Sequence, residues 1–344
     1  MKKPKMLIIL TSLVAMLLFI IILGVSVGTL KIPVSDTYSI IIEKIFKLEP
    51  VNETYYGVIW KVRMPRVLMG LIIGAGLSLC GIVMQAVVQN PLAEPYLLGI
   101  SAGGYLGATI FIILGNSVIS IFNGAGLAFT AFIGALFAAI SVLFLASFKS
   151  NITTTKLILS GTIINALFTA IGNFVIVLSG TDNTISRVTY WMMGSLSSAK
   201  WESLPLPTIA VFTATIFFLT QYRILNTMLQ GDETAITLGI RLNFYRKLYI
   251  SLVALLTGIL VSVCGIIGFV GLIIPHIARA LVGPDHRRLI PVAVLIGGIF
   301  LIAVDILART IIENTELPIG IFTSIVGAPF FAFIMIKKNY HFTS

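Results

Sequence analysis

The chain has 344 residues, of which 58% are hydrophobic and only 10% charged, whereas a soluble domain carries about a quarter charged residues. No water-soluble fold hides that much apolar surface, and the uncharged tracts are long enough to cross a bilayer, which takes about 20 helical residues. The net charge of +10 would suggest nucleic acid in a soluble protein; here the basic residues act first as cytoplasmic topology signals, so no nucleic-acid partner is expected.

In chain order, the uncharged runs are 6–30, 67–93, 95–148, 157–181, 203–222, 248–278, 289–304 and 317–336. The first follows the basic start Met1 to Lys5. It is too long for a signal-peptide core and lacks a convincing small-residue cleavage site, so it is read as a retained helix. Run 95–148 is interrupted by polar residues from Gly115 through Gly124 and is read as two helices. Run 248–278, with Gly265, Gly268 and Gly271, reads as one long helix or two short ones.

Charge decides between them. Ten spans with a cytoplasmic N-terminus place 14 of the 23 basic residues inside, and nine spans place only 10 there. The positive-inside tendency favours ten spans with both termini cytoplasmic, in one transmembrane domain covering 1–344. Residues 31–66 then form an external segment before the second span, and 188–199 are too short to cross, reading as a re-entrant or interfacial helix.

Few charges fall within the spans. Glu94 sits at the inner end of its helix. Asp305 lies one turn before Arg309, where an i,i+4 pair would neutralise both. No Gly-Lys dipeptide occurs, so a GxxxxGK[ST] phosphate loop is excluded and the motor of any active transport would be another polypeptide. Gly99-Ile100-Ser101-Ala102 misses the second glycine of a serine-nucleophile pattern, and His276 beside Pro275 reads as locally satisfied, so no enzyme is expected. Cys80 and Cys264 lie in apolar tracts and read as small core residues. No cofactor or metal site is expected.

Two segments are suited to partners. Residues 226–243 form a cytoplasmic segment with a short helix pattern, Asp232 and Glu233 at its start and Gly239 at its end. The charges suit the helix dipole and the glycine suits a cap. Ala235, Ile236 and Leu238 give it a small apolar face, suited either to a partner's groove or to the membrane surface. On the outer side, Arg63 and Arg66 flank Pro65 at the expected start of the second span. Cations there oppose the helix dipole, so they read either as interface anchors or as donors to a docking partner's carboxylates.

The stretch 63–107, RMPRVLMGLIIGAGLSLCGIVMQAVVQNPLAEPYLLGISAGGYLG, closely resembles the FecCD-type permeases of ABC importers for iron–siderophore complexes, haem and cobalamin. So do GIIGFVGLIIPHIARALVGPDHRR at 265–288 and the VDILAR, ELPIG and VGAP elements of 303–329, with WMMGSL at 191–196 and GDETAITLG at 231–239. The resemblance implies the BtuC-like type II ABC importer architecture, a ten-helix permease in the cell membrane. Its implied partners are a second permease subunit (a homodimer or a paralogue), two cytoplasmic ATP-binding subunits and an extracytoplasmic substrate-binding protein.

It further implies that Gly231, Asp232, Glu233, Ala235, Leu238 and Gly239 form the ATPase-coupling loop, and that Arg63, Arg66 and Arg309 face the binding protein. The connection holding Ser150, Asn151 and Thr153 would be an inner gate; read from the residues alone, it is equally an ordinary solvated turn. The expected function is import of an iron–siderophore complex, haem or cobalamin. The rival reading is an ion-coupled secondary transporter of a small organic or metal-chelate substrate.

Overall fold

The computed structural model describes residues 3–28, 30, 32–46, 52–118, 126–148, 152–179, 181–312 and 315–337, and among these there are fifteen α-helices and no strand. The chain order begins with α1 (Lys3–Ser26), α2 (Val34–Ile45) and α3 (Glu53–Tyr56), followed by α4 (Met64–Val88). Then come α5 (Ile100–Val118), α6 (Gly126–Ser147), α7 (Thr154–Ser179), α8 (Asp182–Met192) and α9 (Pro205–Thr220). The short helices α10 (Tyr222–Met228) and α11 (Asp232–Thr237) precede α12 (Leu242–Cys264), α13 (Val270–Val282), α14 (His286–Thr310) and α15 (Ile319–Lys337).

Among the described residues, seven helical stretches are long and apolar enough to cross a membrane: Lys5–Ser26, Glu53–Val88, Gly126–Ser147, Thr154–Leu178, Trp201–Thr220, Leu242–Cys264 and His286–Thr310. Three shorter apolar helices, Ile100–Ile113, Val270–Val282 and Ile319–Phe333, occupy the remaining apolar runs. The run 248–278 divides into α12 and α13. Gly265 ends α12 with φ 72°, and the chain re-enters helix at Phe269, whose φ of 68° is rare for a bulky residue.

α4 is the central post. Almost all its residues are buried, against α14, α12, α13 and α9. In a bilayer no hydrophobic force pulls one apolar helix onto another, so association relies on close van der Waals packing at small residues. Gly74 meets Gly297 of α14 backbone to backbone, and Gly103 of α5 meets Gly134 of α6 in the same way. A methyl group at any of these four would overlap the facing carbonyl or side chain. α1 lines the edge of this core through Met6, Ile9, Leu10 and Leu13, and its C-terminal half joins a second cluster of Ile20, Val25, Ile32, Ile40, Ile59, Val67, Ile299, Ile302 and Ile306.

Three local readings change. The second span does not start at Pro65: helix begins at Glu53 and runs through a π-helical turn, Gly57–Arg63, straight into α4. The wider turn leads into a proline at the second position of α4, so Arg63 and Arg66 lie inside a continuous helix and oppose no free N-terminal dipole. The helix expected within 188–199 is α8, ending at Met192, and the chain turns at Gly194 (φ 69°) into irregular structure. Glu94 lies beyond the end of α4, past Gln89 in the left-handed region (φ 54°).

Candidate functional site

Near the C-terminal end of α4 the site is built around α11. Gly231 (φ 103°) and Gly239 (φ 80°) bracket it, conformations that L side chains rarely adopt, so the two glycines isolate one and a half turns of helix as a protruding knuckle. The knuckle has two faces. Ala235 is fully buried, whereas Glu233, Thr234, Ile236, Thr237 and Leu238 are exposed, the two apolar side chains by 61% and 64%. Asp232 turns inward. Its carboxylate receives both terminal nitrogens of Arg246, at 2.9 and 2.8 Å, and Gln89 Nε2 at 2.5 Å. Arg246, at the start of α12, is buried; nothing in the sequence pattern had singled it out.

Of the expected gate residues, Ser150 and Asn151 lie outside the described residues, and Thr153 is exposed just before α7. α7 carries two exposed bands. Thr155, Thr162, Ala166, Thr169 and Asn173 follow one another at helical spacing on one face, and Ile163, Leu167, Ile171, Phe174 and Leu178 occupy the adjacent one. The second band suits lipid. The first carries hydroxyl and amide groups, of which Thr162 donates to Ile158 O (3.0 Å) and Asn173 Oδ1 accepts from Tyr105 Oη (2.6 Å); their remaining hydrogen-bonding capacity suits a bundle interior or a wet cavity better than hydrocarbon.

At the end of the bundle where α4 begins and α14 ends, the three arginines are buried and internally bonded. Arg63 donates to the carbonyl oxygens of Val25 (3.1 Å), Ser26 (2.6 Å) and Leu30, closing the chain that leaves α1. Arg66 Nε meets Asp305 Oδ1 at 2.9 Å, and its Nη1 meets Glu316 Oε2 at 2.8 Å. Arg309 lies 3.1 Å from Asp305 Oδ2 in the i,i+4 pair, too poorly aligned for a hydrogen bond, and donates to Gly24 O at 2.9 Å. Asp305 is therefore shared by two arginines, of which only the nearer, Arg309, is evident from sequence spacing. The side chain of Glu316, 43% exposed, is the solvent edge of the cluster.

Between these ends, four breaks in helical structure satisfy one another. Tyr96 Oη donates to Ile267 O (3.0 Å) and accepts from Ile267 N–H (3.2 Å), while Glu94 Oε1 accepts from Phe269 N–H (2.7 Å). Ser195 N–H bonds Cys264 O, Ile319 N–H bonds Gly194 O and Gly320 N–H bonds Met193 O. Irregular backbone at membrane depth is tolerated only where protein or water meets its polar groups, and here each loop does so for the next. Cys80 and Cys264 are both free and buried.

A lipid-compatible bundle of apolar helices around a discontinuous, internally satisfied core is the architecture of a multi-pass membrane permease. A model of the FecCD transport family matches residues 16–337. The chain is 39% identical over 291 residues to the cobalamin import system permease protein BtuC of Halobacterium salinarum, covering 84% of this chain and 76% of that one. It is 33% identical over 330 residues to the molybdate import system permease protein MolB of Haemophilus influenzae, covering 96% and 95%. A solved structure of an inward-facing metal-chelate type ABC transporter superposes with a TM-score of 0.82 at 32% identity, covering 96% of this chain and 99% of that one. The chain belongs to the FecCD transport family and is an ABC importer permease, a multi-pass protein of the cell membrane.

Proposed function

We propose that this permease carries a metal chelate, an iron–siderophore complex, haem or a corrinoid, from an extracytoplasmic binding protein to the cytoplasm. It acts with a second permease subunit and two ATP-binding subunits. Its ten apolar helices all cross, both termini are cytoplasmic, α11 is the knuckle that enters the ATP-binding subunit, and α7 contributes to the path. The observation that carries this reading is the polar band of α7, exposed on a membrane-length helix and unsuited to lipid. A path lined by hydroxyl and amide groups, with no fixed charge in that band, holds a cargo weakly and lets it leave, as conduction requires.

The cargo class rests on relatives whose names specify cobalamin and a metal chelate; the molybdate relative marks the alternative, a small oxyanion. The binding protein meets the outer end near Arg63, Arg66 and Arg309. Because Glu316 already occupies Arg66, a docking carboxylate there has to displace it.

The test is reconstitution of the permease with its ATP-binding subunits and ligand-loaded binding protein, the ligand being identified by absorbance and mass spectrometry. ATP-dependent accumulation of a chelate in proteoliposomes is expected. Accumulation driven by an ion gradient without the ATP-binding subunits would overturn the proposal, and a molybdate-loaded binding protein would overturn the cargo class alone.

A further inference from the structure

We infer that the Asp232–Arg246 ion pair transmits movement of α11 to the start of α7. The inference rests on α11 being the contact for the ATP-binding subunit and assigns a positioning role to a residue outside that contact. A guanidinium offers five N–H donors in a fixed plane, and that of Arg246 is spread over three elements. Nη1 and Nη2 form the two-pronged bond to Asp232 at the first turn of α11. Nη1 also donates to Ile152 O (3.3 Å), two residues before α7, and Nε to Val87 O (3.4 Å) in the last turn of α4.

Neighbouring bonds reinforce the junction. Gln89, at the left-handed end of α4, donates to both Asp232 and Met228 O (3.0 Å), and Thr154 Oγ1 at the start of α7 donates to Val88 O (3.2 Å). Arg246 is 4% exposed and Asp232 43%, so the pair is shielded from solvent on one side and open on the other. Asp232 is thus the root of the knuckle, and Glu233, Ile236 and Leu238 are its contact surface. A push on α11 reaches the Ile152 carbonyl through one side chain. Two-pronged arginine–carboxylate geometry resists rotation as well as separation, which a single lysine bond would not.

The experiment uses the assembled complex of permease and ATP-binding subunits in proteoliposomes, with Thr153→Cys as the reporter. Thr153 is exposed beside Ile152 and the native cysteines are buried, so a water-soluble maleimide reads this position over a quiet background. Labelling is compared without nucleotide and with ATP plus vanadate. A coupling of the size usual between linked sites predicts a rate change of about fivefold or more in the Thr153→Cys parent. In Arg246→Ala the change should fall below about twofold while the ATP-binding subunits still co-purify and hydrolyse ATP. Arg246→Lys should be intermediate, and the exchange Asp232→Arg with Arg246→Asp should recover much of the response. If Arg246→Ala yields no folded protein, Asp232→Asn carries the same test.

An undiminished response in these variants overturns the inference, as does a parent that shows no response. Loss of subunit co-purification in Arg246→Ala, matching that of Leu238→Asp, also overturns it, because the pair would then only shape α11. The underlying reading fails separately, if Leu238→Asp leaves co-purification of the ATP-binding subunits unchanged.

Discussion

Asp305 faces two guanidinium groups in a buried setting where one carboxylate does the work of two. Removing one partner of a buried ion pair leaves an uncompensated charge and costs about 3–5 kcal/mol, whereas an exposed partner is worth about 0–1 kcal/mol. Asp305→Ala is therefore expected to lower the thermal midpoint of the detergent-solubilised protein sharply and Glu316→Ala hardly at all, both read by intrinsic fluorescence. Equal effects would show that the outer cluster is not organised around Asp305. The same geometry bears on docking. Arg63→Glu or Arg66→Glu breaks internal bonds to Ser26 O or Asp305, so a loss of binding-protein affinity in either variant is informative only alongside an unchanged midpoint. The i,i+4 relation of Asp305 and Arg309 was readable in sequence because it is local. The bond from Arg66 joins residues 239 positions apart, and no spacing rule on a single chain reaches that far. Arg246 was hidden for a related reason: its partner lies only 14 residues away, but across a turn whose direction is set by Gly231 and Gly239.

Among elements, the pairing of helices depends on a few small residues at points of closest approach. Gly74→Val and Gly103→Val each place a branched side chain where a facing backbone already sits. Both are expected to abolish the monodisperse peak of a fluorescent fusion in size-exclusion chromatography. Gly268→Ala is the control, since a methyl there meets nothing within 4 Å and the backbone is not left-handed. A well-behaved Gly74→Val or Gly103→Val protein would mean that the helices tolerate separation and that packing elsewhere holds them. The existence of most long helices was legible because an uncharged tract in lipid must be helical. Where a helix begins was not always legible. Pro65 signalled a start, and the π-helical turn before it carried the helix on from Glu53. The break of α12 from α13 was marked by its glycines but left open, because glycine in a membrane helix is as often a packing residue as a turn.

At the scale of the whole molecule, the charge distribution favours one orientation of the bundle over the other. With ten crossings, 14 basic and 4 acidic residues fall inside and 9 of each outside, so under that topology the entire excess of +10 is cytoplasmic. A nine-crossing chain reverses everything after α12, and the positions that discriminate lie beyond it. Arg287 is exposed at the start of α14, and Thr315 is exposed between α14 and α15. With ten crossings, Thr315→Cys is expected to react with an impermeant maleimide in intact cells and Arg287→Cys only after permeabilisation; nine crossings reverse the pair. The buried native cysteines leave both sites unobscured. The physical basis is the division at Gly265–Phe269, where Glu94 and Tyr96 meet the backbone groups that the break between α12 and α13 exposes. Replacing Tyr96 with Phe removes both bonds to Ile267, so the accessibility pattern of Arg287→Cys should blur in that background before the Thr315→Cys pattern does.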